Sequence, residues 1–441
     1  MTENINSSFK YYAKELLKIA LPIIMGNLGF ILIGVGDVLI AGRHSTDTLA
    51  AISIATAITN CIQTFGIGIL ASVSPVLSNY RGENRPAKRY LFPTLRFALL
   101  LAFLIMIFIL AIIPAIDLLK FPQNLTPLIK QYMFLTAFAT FGGYLHIAVK
   151  EYLQAFEIVI FPNLLTIFSV FLNIFLNIIL VFGFGSIPSL GVLGLAIASL
   201  IVRYFMGIVL LMYCFWTTKI SDYNDNEYYK ILIKIGLPIS FAILIEFVAF
   251  NSIAVFMGRV AGIYAAAQNI ICTMTTVSFM VPLAISNAIA VKVGYANGAK
   301  NIADLKKYAF VGTTISLCFM VCSGIMFANF PKQLISLFTT DNDLILISIP
   351  VIYILAAFQI FDGLQISLSG IFKGLKKTWI VMISNFIAYW IISIPLGYTL
   401  AFKFNLNIKG FWFGLLISST VLCSLMGVIL LRDIRKLEHL K

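Results

Sequence analysis

Three carboxylates stand inside long apolar stretches of the chain: Asp37, Glu246 and Asp362. Placing an ionised Asp at the centre of a membrane helix costs about 2.5–3.5 kcal/mol. Neutralising it at pH 7 costs about 4 kcal/mol. The two penalties are similar, so a proton, a Na⁺ or a cationic ligand of modest affinity can flip such a group between states. An ionisable group at that depth is functional by default. The plainer alternative is an acid paired with Arg203, or with a backbone amide, for assembly alone. With one deep arginine for three acids, at least two acids lack such a partner. Arg203 itself reads either as a counter-ion or as a group that orients a neighbouring loop.

Helical spacing adds to these positions. At 100° per residue, Phe358, Asp362, Gln365, Ser369 and Lys373 share one helix face. Thr166, Ser169, Asn173 and Asn177 form a second polar stripe, and Ser53, Thr56, Asn60 and Thr64 a third. Polar stripes at membrane depth must face protein or water. Interhelical hydrogen bonds worth about 0.6–2 kcal/mol a pair explain isolated Ser and Thr. For Asn173 with Asn177, and for the Asp362 stripe, a water-filled cavity is the stronger reading. Asn60, Phe358 and Gln365 accordingly count as candidates for lining a substrate cavity. Pro22, Pro238, Pro350 and Pro395 lie near these positions, and each removes a backbone hydrogen bond and permits a kink. The six cysteines show no CxxC spacing, and with His44, His146 and His439 they form no metal-ligand pattern. They read as small buried hydrophobes.

The elements that carry these residues follow from composition. Of 441 residues, 60% belong to the AVILMFWYC set and only 11% are charged, where soluble chains carry about 25% charged residues. Such a chain cannot cover itself with polar surface, which excludes secreted, cytosolic and disordered classes and predicts an all-α polytopic membrane protein. A bilayer core about 30 Å thick needs roughly 20 apolar residues per helix. Twelve runs of that kind occur, near 16–41, 49–75, 91–114, 128–150, 161–183, 191–216, 231–257, 264–290, 308–329, 344–369, 379–402 and 409–431. The first lacks a small-residue cleavage site and reads as a membrane span rather than a signal peptide. Assigning the termini and the loops after even-numbered spans to one side collects 23 of the 31 Lys and Arg, against seven on the other side, with Arg203 inside span 6. The excess marks the cytoplasm, so both termini are expected there. The net charge of +13 thus records topology, and no nucleic-acid partner is implied.

The chain also repeats itself. At an offset of 216 residues, Lys18-Ile19-Ala20-Leu21-Pro22-Ile23 meets Lys234-Ile235-Gly236-Leu237-Pro238-Ile239, Gly42-Arg43 meets Gly258-Arg259, Ala50-Ala51 meets Ala266-Ala267, and Gly82 meets Gly298. The matches include Lys, Pro, Gly and Arg, which chance similarity between apolar segments does not supply. Six spans plus six, each set starting on the same side, make a parallel repeat, and transporters so built bind substrate between the halves. The expected division is an N-lobe over 1–216, a cytoplasmic linker over 217–230 and a C-lobe over 231–441.

Leu21-Pro22, Gly36-Asp37, Ala41-Gly42 and Leu49-Ala50-Ala51-Ile52-Ser53 resemble the first two spans of the multidrug and toxic compound extrusion (MATE) transporters. Gly236-Leu237-Pro238, Glu246 and Ala265-Ala266-Ala267-Gln268 resemble the opening of that family's second half. The run Phe358-Gln359-Ile360-Phe361-Asp362-Gly363-Leu364-Gln365, then Gly370-Ile371-Phe372-Lys373-Gly374, Ala388-Tyr389-Trp390 and Pro395-Leu396-Gly397-Tyr398, resembles its NorM-type branch. The resemblance spans essentially the whole chain. It implies a V-shaped pair of six-helix lobes around a central cavity, switching between outward-open and inward-open forms. It further implies export of organic cations and drugs in exchange for Na⁺ or H⁺. Glu246 and Asp362 match the family's C-lobe cation site, where Na⁺ would be the metal held. Asp37, Asn173 and Asn177 match its N-lobe polar site, with Ser199 as a further member and cavity candidate. One departure matters: the NorM branch has a tyrosine one turn before the span-10 acid, where this chain has Phe358, which offers a ring face but no oxygen.

Two rivals are weighed against the cation-coupled exporter. A lipid-linked oligosaccharide flippase of the same superfamily would have a more basic cavity. A polytopic membrane enzyme would need a convergent catalytic set, and His146 has no Asp or Glu one turn away. The expectation is therefore a multi-pass transporter of the cytoplasmic (inner) membrane, not an enzyme. It is expected to act as a monomer on small organic cations within the lipid bilayer, without a cofactor beyond its coupling ion, Na⁺ or H⁺.

Overall fold

The computed structural model describes residues 2–186, 188–217 and 225–439, with side chains from 9 to 436 within those ranges. Residues 218–224 of the expected linker lie outside them. Twelve helices are long and apolar enough to cross a bilayer: Phe9–His44, Thr46–Gly82, Ala87–Leu119, Leu125–Ala155, Ile160–Phe182, Val192–Thr217, Asn226–Gly258, Gly262–Gly298, Ile302–Asn329, Asn342–Gly374, Thr378–Lys403 and Ile408–Lys436. They are spans 1 to 12 below. The helices outrun most of the apolar runs read from the sequence. The hydrocarbon thickness limits the apolar stretch, whereas backbone hydrogen bonding continues into the polar boundary layer.

Pro22, Pro238 and Pro350 sit within continuous helices. Other spans change their winding. Span 2 is interrupted between Leu70 and Val73, and span 3 ends in a 3-10 segment, Ile113–Leu119, opened by Pro114. Span 11 alternates: α-helix over Thr378–Phe386, π-helix over Ile387–Ser393, α-helix over Ile394–Tyr398 and π-helix over Thr399–Lys403. Wide π turns are frequent at functional sites, and this one bears on Glu246, as described below.

Two compact units form. The N-terminal unit comprises Leu21–Leu77 and Asn84–Ser240, and the C-terminal unit comprises Met1–Ala20, Ser78–Glu83 and Phe241–Lys441. These lines differ from the halves read from the repeat, because the first helix of each half begins among residues of the other. In the C-terminal unit, Tyr12 donates to Asp304 over 2.6 Å, and Lys292 forms a 2.8 Å ion pair with Glu15. In the N-terminal unit, the Tyr90 hydroxyl donates to Asp225 over 2.8 Å, Thr94 bonds Tyr228 over 2.7 Å, and Ser72 donates to the Leu232 carbonyl over 3.2 Å.

The repeat-matched glycines have a packing role in the C-terminal unit. A Cβ on Gly82 would strike the Tyr295 carbonyl, and one on Gly298 would strike the Asn79 carbonyl. The two helices meet backbone to backbone at that point. Asn79 fastens the contact, accepting from Asn297 over 2.7 Å and donating to the Gly374 carbonyl over 2.9 Å.

Candidate functional site

Each unit holds one cluster of buried polar groups. In the N-terminal unit, span 5 carries Thr166, Ser169, Asn173 and Asn177 on its fully buried face. Spacing of three and four residues stacks them along one side of a helix whose other faces are Phe, Ile and Leu. Asn177 Nδ2 donates to Asp37 Oδ1 over 2.6 Å and to Asn173 Oδ1 over 3.1 Å. Ser199 of span 6 donates to Asp37 Oδ2 over 3.4 Å, and Tyr132 of span 4 lies near both. Spans 1, 4, 5 and 6 thus converge on one carboxylate. Asp37, Asn173, Asn177 and Ser199, separated by up to 162 positions, are brought together.

Asn60 is not part of that cluster. It lies on an exposed face of span 2 with Ser53, and Ser53 and Thr56 return their hydroxyls to carbonyls of their own helix. The buried face of span 2 carries Thr59 and Gln63 instead. Gln63 accepts from Arg203 Nη1 over 3.0 Å and donates to Thr140 over 3.1 Å. Gln63 stands two turns beyond Thr56, on the flank of the helix beside the stripe.

In the C-terminal unit, Glu246 of span 7 and Asp362 of span 10 lie close enough to act on each other through space. Asp362 is buried, as are Phe358, Gln365 and Ser369 of its stripe. Tyr389 completes the group from span 11. Its hydroxyl donates to Gln365 Oε1 over 3.1 Å and lies near Glu246. Two bonds hold this part of span 11 against span 7: Asn385 Nδ2, just before the π segment, donates to the Ala242 carbonyl over 3.3 Å, and Trp390 Nε1, within it, to the Ile245 carbonyl over 3.1 Å. Phe358 joins Phe250 and Trp412 in an aromatic cluster with centroids 5.7–6.2 Å apart, and Phe250 also meets Tyr389 at 6.1 Å. The ring at position 358 is therefore a packing group. The phenolic oxygen beside the acids comes from Tyr389, a residue to which the sequence attached no role.

These geometries suit cation handling. The C-terminal cluster combines four carboxylate oxygens, a phenol and an amide carbonyl, an all-oxygen set of the kind hard cations take. The twelve apolar spans define a polytopic membrane protein.

Comparison with known proteins agrees. The MatE family model matches residues 22–179 and 238–399, which is most of both halves. The chain belongs to the MatE family. Among curated relatives, "Probable multidrug resistance protein NorM" of Mesorhizobium japonicum is 28% identical over 427 residues, covering 93% of this chain and 91% of the relative. The protein of the same name from Xylella fastidiosa is 28% identical, covering 96% and 92%. Among solved structures, the eukaryotic MATE transporter AtDTX14 shares the fold with a TM-score of 0.86 at 20% identity, over 98% of this chain and 99% of that one. A multidrug resistance MATE family transporter of the MOP superfamily in an outward-facing conformation gives 0.88 at 19% identity, over 97% and 96%.

Proposed function

We propose that this MatE-family chain is a cation-coupled antiporter that exports amphipathic organic cations from the cytoplasm by alternating access. It resides in the cytoplasmic membrane with both termini inside. The carrying observation is that Glu246 and Asp362 share one polar patch with Tyr389 and Gln365. At an effective dielectric constant near 20, two like charges about 5 Å apart repel by about 3 kcal/mol. One monovalent cation seated between the two acids relieves that repulsion. The coupling ion and the drug cation then compete for the same carboxylates, which is the requirement for exchange. Tyr389 supplies the oxygen that Phe358 lacks, and this supports Na⁺ as the ion held by Glu246 and Asp362. Asp37, with Asn173 and Asn177, responds to cations in the N-terminal unit. The names of the NorM relatives support the drug class.

The test adds Na⁺ at fixed pH to purified protein preloaded with a fluorescent cationic drug. Release at millimolar Na⁺, absent with K⁺ and lost in Glu246→Gln, is the expected result. Release driven only by acidification assigns the coupling to H⁺ instead. For orientation, a cysteine introduced near Arg85 is expected to resist impermeant thiol reagents in intact cells, while cysteines near Asp47 and Asn407 react.

A further inference from the structure

Each unit contains the same joint between two helix starts. In the C-terminal unit the start of span 1 lies against the start of span 9, where the Tyr12 and Tyr308 rings meet edge to face at 4.8 Å. In the N-terminal unit the start of span 7 lies against the start of span 3, where Tyr228 and Tyr90 meet at 4.7 Å. Tyr12 and Tyr228 are partners in the 216-residue repeat, and so are Lys14 with Lys230 and Lys18 with Lys234. The facing helices correspond as well, with Lys306-Lys307-Tyr308 in one unit and Lys88-Arg89-Tyr90 in the other. The duplicated feature is a tyrosine joint with basic residues on both of its helices.

The acids nearest each joint are engaged. Glu15 pairs with Lys292 over 2.8 Å, and Asp304 accepts the Tyr12 hydroxyl over 2.6 Å. Asp225 accepts the Tyr90 hydroxyl over 2.8 Å and the Glu227 N–H over 2.9 Å. The basic residues are not engaged in this way. Lys14, Lys18, Lys307, Arg89, Lys230 and Lys234 are exposed, and among the described residues none of them forms an ion pair. Lys307 Nζ stands 5.3 Å from the centre of the Tyr12 ring, a contact that leaves its charge open. Lys14 and Lys18 lie one turn apart on one helix face, as do Lys230 and Lys234. Each pair ends where its helix turns apolar, at Ile19 and Ile235, with no further charge before Asp37 and Glu246. Lysines at such a boundary lay their stems along apolar surface and keep the ammonium in the polar headgroup layer. Topology alone asks only for positive charge on one side of the membrane, which scattered lysines satisfy. Paired lysines on the same joint in both units leave a local positive charge for an anion from outside the chain to balance.

We propose that each joint docks the headgroup of an anionic phospholipid of the surrounding bilayer. Lys14 and Lys18, with Lys307, take its phosphate in the C-terminal unit, and Lys230 and Lys234, with Arg89, take it in the N-terminal unit. An anionic phospholipid fits because its phosphate lies at this depth and its acyl chains run on beside the apolar part of the helix. Phosphatidylcholine carries the same phosphate, but its choline cation is repelled by the lysines. The C-terminal site is the stronger of the two, because exposed Glu227 stands on the same helix as Lys230 and Lys234 and offsets part of their charge.

The probes are phosphatidylglycerol and phosphatidylcholine with the same acyl chains, titrated separately into full-length protein in a neutral detergent. Bound lipids are counted by native mass spectrometry. Wild-type protein is expected to bind two phosphatidylglycerols about tenfold more tightly than phosphatidylcholine. Lys14→Gln combined with Lys18→Gln should weaken the tighter phosphatidylglycerol site about tenfold and leave phosphatidylcholine binding unchanged. Lys230→Gln combined with Lys234→Gln should weaken the other site by a smaller factor. Lys18→Gln alone serves if the first double variant does not assemble, and it should show part of the same selective loss. Equal affinity of wild-type protein for the two lipids overturns the proposal, as does a phosphatidylglycerol preference that survives these substitutions. Displacement of phosphatidylglycerol by an equal concentration of glycerol phosphate would overturn the lipid as occupant.

Discussion

In the N-terminal unit one carboxylate, Asp37, shares its surroundings with an arginine, whereas in the C-terminal unit two carboxylates, Glu246 and Asp362, meet between spans 7 and 10. The repeat supplies the same scaffold to both, with Pro22 and Pro238 at matching positions. Yet Asp37 lies fifteen residues beyond its proline and Glu246 eight residues beyond its own, so the acids occupy different depths of equivalent helices. The comparison teaches that one duplicated frame carries two electrostatic designs. The C-terminal cluster gathers negative charge and invites an added cation. The N-terminal cluster sets opposite charges among neutral donors and is close to balanced without one.

The largest effect is expected at the C-terminal pair. Glu246→Gln or Asp362→Asn removes the repulsion that an ion relieves, and drug efflux from proteoliposomes should fall by about a hundredfold or more. Thermal stability should stay near wild type, because a neutral isostere at these buried positions carries no charge-desolvation penalty. Normal pumping by both variants would reduce the acids to assembly elements. A smaller loss, about tenfold, is expected for Asp37→Asn, since Asn177 and Ser199 still find polar partners while the cation-responsive charge disappears. Equal losses at Asp37 and Asp362 would erase the contrast between the units.

Tyr389→Phe sharpens the comparison further. It deletes one oxygen from the C-terminal cluster while keeping the ring against Phe250, so the Na⁺ concentration for half-maximal drug release should rise about five- to tenfold. Maximal release should change less. If Na⁺ dependence is untouched, the phenol is a structural strut for Gln365 only. The smallest change is expected at Asn60→Ala, which lies on an exposed face of span 2 and outside the Asp37 cluster. Transport of a monocationic dye should vary by less than about twofold, the scale of surface substitutions. A strong defect there would return the span-2 stripe to the substrate path.

Much of this molecule was legible in the chain, for reasons that differ from residue to residue. The twelve spans follow from hydrocarbon thickness and apolar run length, and neither depends on how helices pack. The span-5 stripe was legible because an α-helix repeats every 3.6 residues, so Thr166, Ser169, Asn173 and Asn177 share a face wherever that helix lies. Tyr389 escaped the same reasoning because it sits in a π-helical segment, where the turn widens and a 100° rotation per residue assigns the wrong face. Gln63 escaped because a lone buried glutamine produces no periodic signal.

The sequence by itself determined the membrane class, the span count, the repeat and the three deep acids, since each is set by local hydrophobicity or by identity at a position. Tertiary structure decided which polar groups those acids meet. The contacts of Asp37 with Asn177 and Ser199, of Glu246 with Tyr389, and of Arg203 with Gln63 join residues more than a hundred positions apart. The partition into compact units was likewise decided in space, where the Glu15–Lys292 ion pair and the abutting backbones at Gly82 and Gly298 tie early residues to late ones. Side-chain reach and close backbone approach depend on how helices pack, and helix packing is not written in the periodicity of any single helix.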